Sequence, residues 1–160
     1  MQATTTFHSL YEAHAKDVYR FARFLTGSDD AAADVMSETF LRAWAGRDAI
    51  RVETAKAYLL AIARNLARDR ARASSRIADG DVPETPVAPN AEARLELSRT
   101  LDAIRALPAD YREPLLLAVS GVEYGEIGRL LGLSVSTVKI RVHRARAKLG
   151  AALTAPGRLP

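Results

Sequence analysis

The side chains of this sequence that could do chemistry are mostly cations at helical spacing. Arg64, Arg68 and Arg72 recur every four residues, and Arg70 and Arg76 add to their charge. Arginines stacked along one helix repel each other unless something anionic meets them. We therefore predict that this stretch binds a nucleic acid, with a solvated basic face as the alternative.

A second set of cations lies on a predicted helix-turn-helix. The stretch 134–160 contains six Lys or Arg and no Asp or Glu, whereas a solvated face normally mixes both signs. Residues 124–131 predict a first helix, and residues 135 to about 149 predict a second. The turn between them is Gly132-Leu133-Ser134, because Gly tolerates a positive φ at a helix C-terminus and Ser is a good N-cap.

One side of this second helix would be buried, and the others would be free to meet a partner. Val138, Val142, Ala145 and Leu149 have the spacing of a single buried face. Gly128 in the first helix would let the two helices approach closely. A basic helix of this size fits the DNA major groove. On spacing alone, an ordinary helical hairpin remains open as the alternative.

The charge of the chain is segregated along its length. The net charge of the 160 residues is only +4, but residues 51–76 carry +5 and residues 134–160 carry +6. The three remaining segments, 1–50, 77–100 and 101–133, are each mildly acidic. Two separate basic blocks indicate two contacts with one long polyanion rather than a single diffuse patch.

Several classes of function are disfavoured by what the sequence lacks. It has no cysteine, which excludes disulfides and thiolate zinc sites within the chain. It also lacks a run of about 18 apolar residues and a signal-peptide pattern, so we expect a cytoplasmic protein without membrane insertion. We find no metal cluster, phosphate-binding Gly loop or nucleophile elbow. We therefore expect no metal, no cofactor, no small-molecule substrate and no enzymatic activity.

The periodicity of apolar residues predicts an all-α fold with no strand. The predicted helices, each with its N-cap in parentheses where one is expected, are 7–26 (Thr6), 29–45 (Ser28), 55–74 (Thr54), 91–107 (Asn90), 109–120, 124–131 and 135–149 (Ser134). Pro114 is expected in or near the first turn of its helix, where the lost N–H costs least. The residues after Leu149 are expected to fray.

A proline-rich, acidic stretch divides the helices into two groups. Residues 77–90 contain Pro83, Pro86 and Pro89, and prolines at this spacing favour extended chain. We predict a flexible linker there, between a three-helix domain at 1–76 and a four-helix domain at 91–160. In the first domain, His14 is interpreted as a packing residue rather than a metal ligand.

The sequence resembles a known family, the extracytoplasmic-function sigma factors of bacterial RNA polymerase. Four blocks carry the resemblance: ADVMSETFLRAW at 33–44, AYLLAIARNLARDRAR at 57–72, LPADYREPLLL at 107–117 and TVKIRVHRARAKL at 137–149. Each block is moderately specific, and their order and spacing together are highly specific. The resemblance implies that 1–76 is sigma domain 2 and 91–160 is sigma domain 4.

The resemblance also implies roles for individual residues. Contacts to the β′ clamp helices of the polymerase core fall on Asp34, Glu38, Phe40, Leu41 and Trp44. Recognition and melting of the −10 element fall on Arg64, Asn65, Arg68, Asp69 and Arg72, and the loop 46–54 would hold a flipped base. Reading of the −35 duplex falls on Ser136, Thr137, Lys139, Ile140, Arg141, His143 and Arg144.

The sequence departs from the family pattern at a few of these positions. Ser37 stands where Gln is usual, and Tyr58 stands where the family has Trp. Ile140 replaces a small polar residue and could meet a thymine methyl group. Glu123 replaces the usual Ser or Thr helix cap and Gly125 replaces Glu, and both changes would weaken the first helix of the helix-turn-helix.

The function implied is that of a promoter-specificity subunit. Its partners would be the polymerase core (β′ clamp helices and β flap), promoter DNA and an anti-sigma factor that wedges between or around the two domains. A stand-alone helix-turn-helix regulator is one alternative, although it leaves the block 33–72 without a purpose. A sigma mimic that titrates an anti-sigma factor is another, although such a decoy need not keep the basic residues.

Overall fold

Every regular element in the computed structural model is helical, within the residues that the structure describes, 3–74 and 90–154. The chain forms two compact units that divide between Glu84 and Thr85. This division falls inside the segment predicted to be a linker. We predicted an extended, flexible conformation for residues 77–90. Apart from Asn90, these residues lie outside the described ones.

The first unit contains three helices and two short 3₁₀ turns. Their bounds are α1 (Ala3–Thr26), α2 (Asp29–Ala45), the turns Arg47–Ala49 and Val52–Thr54, and α3 (Ala55–Ser74). α2 and α3 have the predicted bounds. α1 begins earlier than predicted, so Thr6 lies inside the helix and the prediction that it caps α1 was wrong.

The junction between α1 and α2 explains why the chain reverses where it does. Gly27 adopts the left-handed conformation, with φ of +79°. The Ser28 hydroxyl then caps α2 by accepting from the Ala31 N–H at 3.1 Å. The carboxylate of Asp29 in the first turn of α2 accepts from Arg23 Nε at 2.7 Å and from the Tyr19 hydroxyl at 2.9 Å. α2 is thereby fixed against α1.

The core of the first unit is apolar and lies where the three helices meet. Its fully buried large side chains include Val18 and Phe21 from α1, Val35 from α2, and Leu59 and Leu60 from α3. Burying each of these removes an apolar side chain from water, which is worth about 1.5–3 kcal/mol for a residue of this size. The remaining faces of α2 and α3 stay accessible to partners.

The second unit contains four helices. They are α4 (Ala91–Ala106), α5 (Ala109–Val119), α6 (Tyr124–Leu131) and α7 (Val135–Thr154). The Asn90 side chain caps α4 by accepting from the Ala93 N–H at 2.7 Å, as predicted. The core is built on Leu117, Ile127, Val138 and Val142, all of which are essentially inaccessible to water.

Two expectations for the second unit were wrong. Pro114 lies inside α5 and is buried, rather than in the first turn. Its ring removes one backbone donor from the helix, and its burial against the core offsets that loss. The segment after Leu149 does not fray at once, because α7 continues to Thr154, whose hydroxyl donates to the Gly150 carbonyl at 2.7 Å.

Within the described parts of the chain, we find no helix with both the length and the apolar character needed to cross a bilayer.

Candidate nucleic-acid interface

The helix-turn-helix of α6 and α7 is closed by one left-handed glycine and two local hydrogen bonds. Gly132 adopts φ of +69° at the end of α6, and the Leu133 N–H donates to the Gly128 carbonyl at 2.8 Å. The Ser134 hydroxyl accepts from the Thr137 N–H at 3.2 Å and so caps α7. Together these features fix the direction in which α7 leaves the turn. The positive φ of Gly132 and the Ser134 cap were predicted from the sequence, and the bond between Leu133 and Gly128 was not.

α7 buries one face and presents the rest of its surface. Val138, Val142 and Ala145 are buried as predicted, while Leu149 is only partly buried. Of the residues expected to face DNA, five are exposed: Ser136, Lys139, Ile140, His143 and Arg144. The helix therefore offers a mixed surface of cations, one hydroxyl and the half-exposed side chain of Ile140.

The other two expected contacts on α7 are engaged within the unit. The hydroxyls of Thr137 and Ser134 lie 2.9 Å apart, so Thr137 takes part in the cap. Arg141 is partly buried, and its Nη1 lies 4.0 Å from the Asp110 carboxylate in the first turn of α5. Lys148, one residue before Leu149, places its ammonium 5.4 Å from the centre of the Tyr111 ring. The start of α5 therefore contacts one side of α7.

The basic face of the first unit runs along α3. Ala63, Leu66 and Ala67 are buried against α1 and α2, so the residues between them point outward. The residues expected at the −10 element are Arg64, which is partly buried, and Asn65, Arg68, Asp69 and Arg72, which are exposed. α3 thus brings all five to the accessible side of one helix.

The residues expected to contact polymerase divide into two groups. Asp34, Glu38, Leu41 and Trp44 are exposed on α2. Phe40 is 5% exposed and packs its ring 4.7 Å from that of Tyr11 and 6.3 Å from that of Phe7. A direct partner contact through the Phe40 ring was therefore the wrong expectation, since this ring supports the α2 surface from beneath.

An open groove of about 590 Å³ lies between α2 and α3. It is lined by Leu41 and Leu66 together with acidic and basic side chains on its walls. Across it, Arg70 Nη2 of α3 lies 3.2 Å from the Asp34 carboxylate of α2. Arg42 and Glu38 pair along α2 at 3.2 Å, as the four-residue spacing predicted. The groove combines apolar side chains with charges of both signs, a composition suited to a protein partner.

The loop after α2 contains a contact that sequence reasoning missed. The guanidinium carbon of Arg47 lies 4.1 Å from the centre of the Trp44 ring, and its Nη1 donates to the Trp44 carbonyl at 2.9 Å. The three-residue separation after an aromatic residue at a helix end is a signal for such a contact. The hydroxyl of Tyr58 on α3 lies close to Gly46, at the start of the same loop.

His14 on α1 is partly buried, as predicted. Burial lowers its pKa below the ordinary value of 6.5, and the nearby Lys56 ammonium lowers it further, while Asp17 acts in the opposite direction. Lys56 and Asp17 themselves pair at 3.2 Å between α3 and α1. Among the described residues, no group of His, Asp or Glu is arranged to hold a metal ion.

Fold and surfaces together define a class of protein. Two separate helical units each carry an accessible basic helix, and one of these helices belongs to a helix-turn-helix, so the chain is built to bind DNA. The sequence matches the family description "Sigma-70 region 2" over residues 10–77 and "Sigma-70, region 4" over residues 97–149.

Relatives with assigned names narrow the class. The chain is 39% identical to the ECF RNA polymerase sigma factor EcfG of Rhodopseudomonas palustris, and the match covers 86% of this chain and 79% of that protein. It is 33% identical to the ECF RNA polymerase sigma factor SigL of Mycobacterium tuberculosis, over 86% and 82% of the two chains. This chain belongs to the extracytoplasmic-function RNA polymerase sigma factors.

Solved structures have the same fold. The sigma factor RpoE of Bartonella quintana, in complex with the anti-sigma factor NepR, matches with a TM-score of 0.76 at 28% identity, over 94% of this chain and 98% of that one. CnrH, in complex with the cytosolic domain of CnrY, matches with a TM-score of 0.73 at 30% identity, over 96% and 91%.

The expected all-α fold with two sigma domains is therefore confirmed, and so is the function. As a sigma factor of this family, the protein directs RNA polymerase core to specific promoters and promotes initiation through the −10 and −35 elements, with melting of the −10 element.

Proposed function

We propose that the two basic helices divide promoter recognition between them, with α7 reading the −35 duplex and α3 handling the −10 element. The observation that carries this proposal is that each compact unit has one accessible cationic helix, on α3 in the first and on α7 in the second. Two such helices on one chain can engage neighbouring promoter elements at once, which raises the effective concentration of the second contact.

At the −35 element, α7 would enter the major groove with its exposed side. Lys139 and Arg144 supply cations for phosphates or base edges, and Ser136 and His143 supply hydrogen bonds. The side chain of Ile140 is 48% exposed and meets a thymine methyl group. An apolar contact at this position would favour a promoter with an A·T pair there.

At the −10 element, α3 and the loop before it would act on the melted strand. Arg68 and Arg72 lie four residues apart on the exposed side of α3, so they can follow a single-stranded backbone. The loop residues after Gly46 would receive a base taken out of the stack. Unstacking a base costs a few kcal/mol, which contacts in a protein pocket can offset.

The polymerase core would dock on α2. Asp34, Glu38, Leu41 and Trp44 share its exposed surface and border the groove against α3 or lie near it. An apolar centre with a charged rim is the usual composition of a protein interface. Phe40 contributes by supporting this surface from the core. The family resemblance assigns the partner elements as the β′ clamp helices for this unit and the β flap for the second.

We further propose that an anti-sigma factor controls the protein. The solved structures of RpoE and CnrH are complexes, with the anti-sigma factor NepR and with the cytosolic domain of CnrY respectively. This chain contains no cysteine, so any thiol-based sensing would belong to the partner. The protein itself would act without enzymatic activity, cofactor or small-molecule substrate, in the cytoplasm with the polymerase.

Purified protein and host core polymerase test the proposal in one assay. We expect specific transcription from a cognate promoter, and we expect it to be lost in Arg141→Ala/Arg144→Ala and in Arg68→Ala/Arg72→Ala. Core binding, measured by fluorescence anisotropy, should survive in both of these variants and weaken in Leu41→Ala. Arg99→Ala on α4 and Arg20→Ala on α1 remove exposed cations outside the proposed surfaces and should retain transcription.

Other outcomes would favour the alternatives. A chain that never associates with core and instead binds a palindromic duplex as a stable dimer would be a stand-alone regulator. A chain whose biological effect survives Arg141→Ala/Arg144→Ala would be a decoy for an anti-sigma factor, since such a decoy needs no DNA-facing cations.

A further inference from the structure

The structure points to Arg47 as a positioning residue that joins the polymerase-facing end of α2 to the promoter loop 46–54. We propose that Arg47 holds the Trp44 ring in its binding orientation, and that core binding and −10 strand capture are coupled through this contact. The inference rests on the proposed roles of Trp44 and of the loop. The experiment below distinguishes failure of this inference from failure of those roles.

Two contacts bind Arg47 to the same residue. The guanidinium carbon lies 4.1 Å from the centre of the Trp44 ring, well within the range of a cation–π interaction. In addition, Nη1 donates to the Trp44 carbonyl at 2.9 Å. That carbonyl lies in the last turn of α2, where backbone oxygens receive no N–H from a following helical turn. The helix dipole also favours a cation at this end of the helix. Ring and backbone of Trp44 are thus held by one side chain.

Trp44 is an exposed aromatic that nevertheless has fixed neighbours. Its ring is 38% exposed, and the Phe7 ring packs edge-on to it with centroids 5.0 Å apart. Phe7 in turn contacts the buried Phe40 ring at 6.3 Å. Arg47 therefore completes a set of contacts that leaves part of the indole open to a partner while restricting its rotation. A restricted side chain loses less entropy on binding than a mobile one.

The surroundings of the Arg47 guanidinium suit a role within the protein better than a direct role at DNA. Nε of Arg47 is buried, with no hydrogen-bond partner among the described residues. An exposed arginine that binds phosphate keeps its donors in water until the anion arrives. Here Nη1 already donates to the Trp44 carbonyl and Nε is withdrawn from water, so two of the three guanidinium nitrogens are committed within the protein.

Arg47 also belongs to the loop. It opens the 3₁₀ turn Arg47–Ala49, and its carbonyl accepts from the Ile50 N–H at 3.3 Å. The preceding residue, Gly46, has little free space, since a Cβ there would lie 3.0 Å from the Tyr58 hydroxyl of α3. The start of the loop is therefore confined between Trp44 and Tyr58. Because one side chain joins Trp44 to the loop, a polymerase core that fixes the Trp44 ring would also fix Arg47 and the first turn of the loop.

The test uses the full chain, its single tryptophan and three variants. Arg47→Met keeps the length of the side chain and removes the cation, Arg47→Lys keeps a cation, and Arg51→Met makes the same change in the same loop away from Trp44. Three quantities are measured: acrylamide quenching of Trp44 fluorescence, affinity for host core polymerase, and permanganate reactivity of −10 thymines at saturating core.

We expect Arg47→Met to increase the quenching of Trp44 and to weaken core binding about fivefold, because a Trp44 ring that Arg47 no longer holds must be ordered when core binds. Permanganate reactivity should also fall even when all the protein is bound to core. Arg47→Lys should restore part of each signal, and Arg51→Met should leave Trp44 quenching and core affinity unchanged. If Arg47→Met prevents folding, Arg47→Lys alone still tests the proposal. It should increase Trp44 quenching and lower core affinity by part of the amounts expected for Arg47→Met.

Unchanged Trp44 quenching, or unchanged core affinity, in Arg47→Met would overturn the proposal. A variant that changes only the salt dependence of DNA binding would identify Arg47 as a phosphate ligand and would also overturn it. The proposed polymerase surface is tested independently by Leu41→Ala. Normal core binding by Leu41→Ala would refute that surface whatever Arg47 does.

Discussion

Gly128 on α6 packs directly against the backbone of Leu133 in the turn of the helix-turn-helix. A Cβ at position 128 would lie 2.5 Å from the Leu133 carbonyl oxygen. This oxygen belongs to the backbone and cannot move aside as the tip of a flexible side chain can. The same Gly128 supplies the carbonyl that accepts from the Leu133 N–H at 2.8 Å. The turn that aims α7 therefore requires glycine at position 128.

We expect Gly128→Ala to destabilise the second unit by about 1–3 kcal/mol, the usual cost of overpacking a closed site. Gly125→Ala is the matched control in the same helix, because a Cβ at position 125 meets nothing within 4 Å. That change should stabilise by about 0.5–1 kcal/mol, since Ala is the better helix former. Urea unfolding of both variants followed by circular dichroism measures the two effects. Equal effects of the same sign would show that the contact with Leu133 does not limit this turn.

The N-terminus of α6 is capped less well than that of α7. Glu123 occupies the N-cap position without a side-chain hydrogen bond to the helix, whereas Ser134 caps α7 through the Thr137 N–H. Glu123→Ser should therefore stabilise the second unit by about 1 kcal/mol, and Ser134→Ala should destabilise it by about the same amount. Thermal unfolding measures both shifts. If Glu123→Ser gives no gain, the first turn of α6 obtains its stability from packing on α5.

The parts of the fold that depend on local chemistry were predictable. Ser28, Asn90 and Ser134 cap helices because a short polar side chain satisfies a free N–H just before an apolar repeat. The buried face of Val138 and Val142 follows from helical periodicity alone. The exposure of most cations on α3 and α7 follows from the same repeat, since they occupy the remaining positions.

The parts that depend on tertiary packing were not predictable. Proline is typical of the first turn of a helix, so Pro114 was predicted in or near that turn. It lies inside α5 instead, and its ring is buried in the core. Phe40 was assigned to polymerase by the family resemblance, although helical periodicity predicts that it faces inward, and contacts with Tyr11 and Phe7 do bury it. Arg47 was counted only as charge, although its place three residues after an aromatic residue at the end of α2 is a signal for the contact with the Trp44 ring. Pro114 is the case in which packing between elements overrides a local pattern.

The ion pair between Asp110 and Arg141 should lower the affinity of the second unit for DNA. The two groups lie 4.0 Å apart, with the Asp110 side chain 81% exposed and that of Arg141 30% exposed. A phosphate that engages Arg141 must replace this carboxylate and approach its negative charge. Asp110→Asn should therefore tighten binding to a −35 duplex about two- to threefold at low salt, with a smaller gain at high salt.

Fluorescence anisotropy over a salt series measures this effect, and two controls isolate it. Asp102→Asn removes the same charge from the exposed surface of α4, and it should change affinity less than Asp110→Asn. In the Arg141→Ala background, the gain from Asp110→Asn should shrink. An equal gain with and without Arg141 would mean that Asp110 acts only through general repulsion of DNA.

The first unit should lose stability in mild acid because of His14. Burial, with help from Lys56, holds the pKa of His14 below 6.5 in the folded state, while Asp17 opposes the effect. The unfolded chain then binds more protons than the folded one as the pH falls through 6.5, so protonation favours unfolding. The stability that neutral His14 contributes is complete above pH 6.5 and declines below it.

Urea unfolding across this pH range measures the effect. The free energy of unfolding should fall as the pH falls, and His14→Gln should flatten this dependence. His8→Gln removes an exposed histidine of the same helix that pairs with Glu12 at 3.1 Å, and it leaves the contribution of His14 in place. A pH dependence that is unchanged in His14→Gln would place the titrating group elsewhere in the chain.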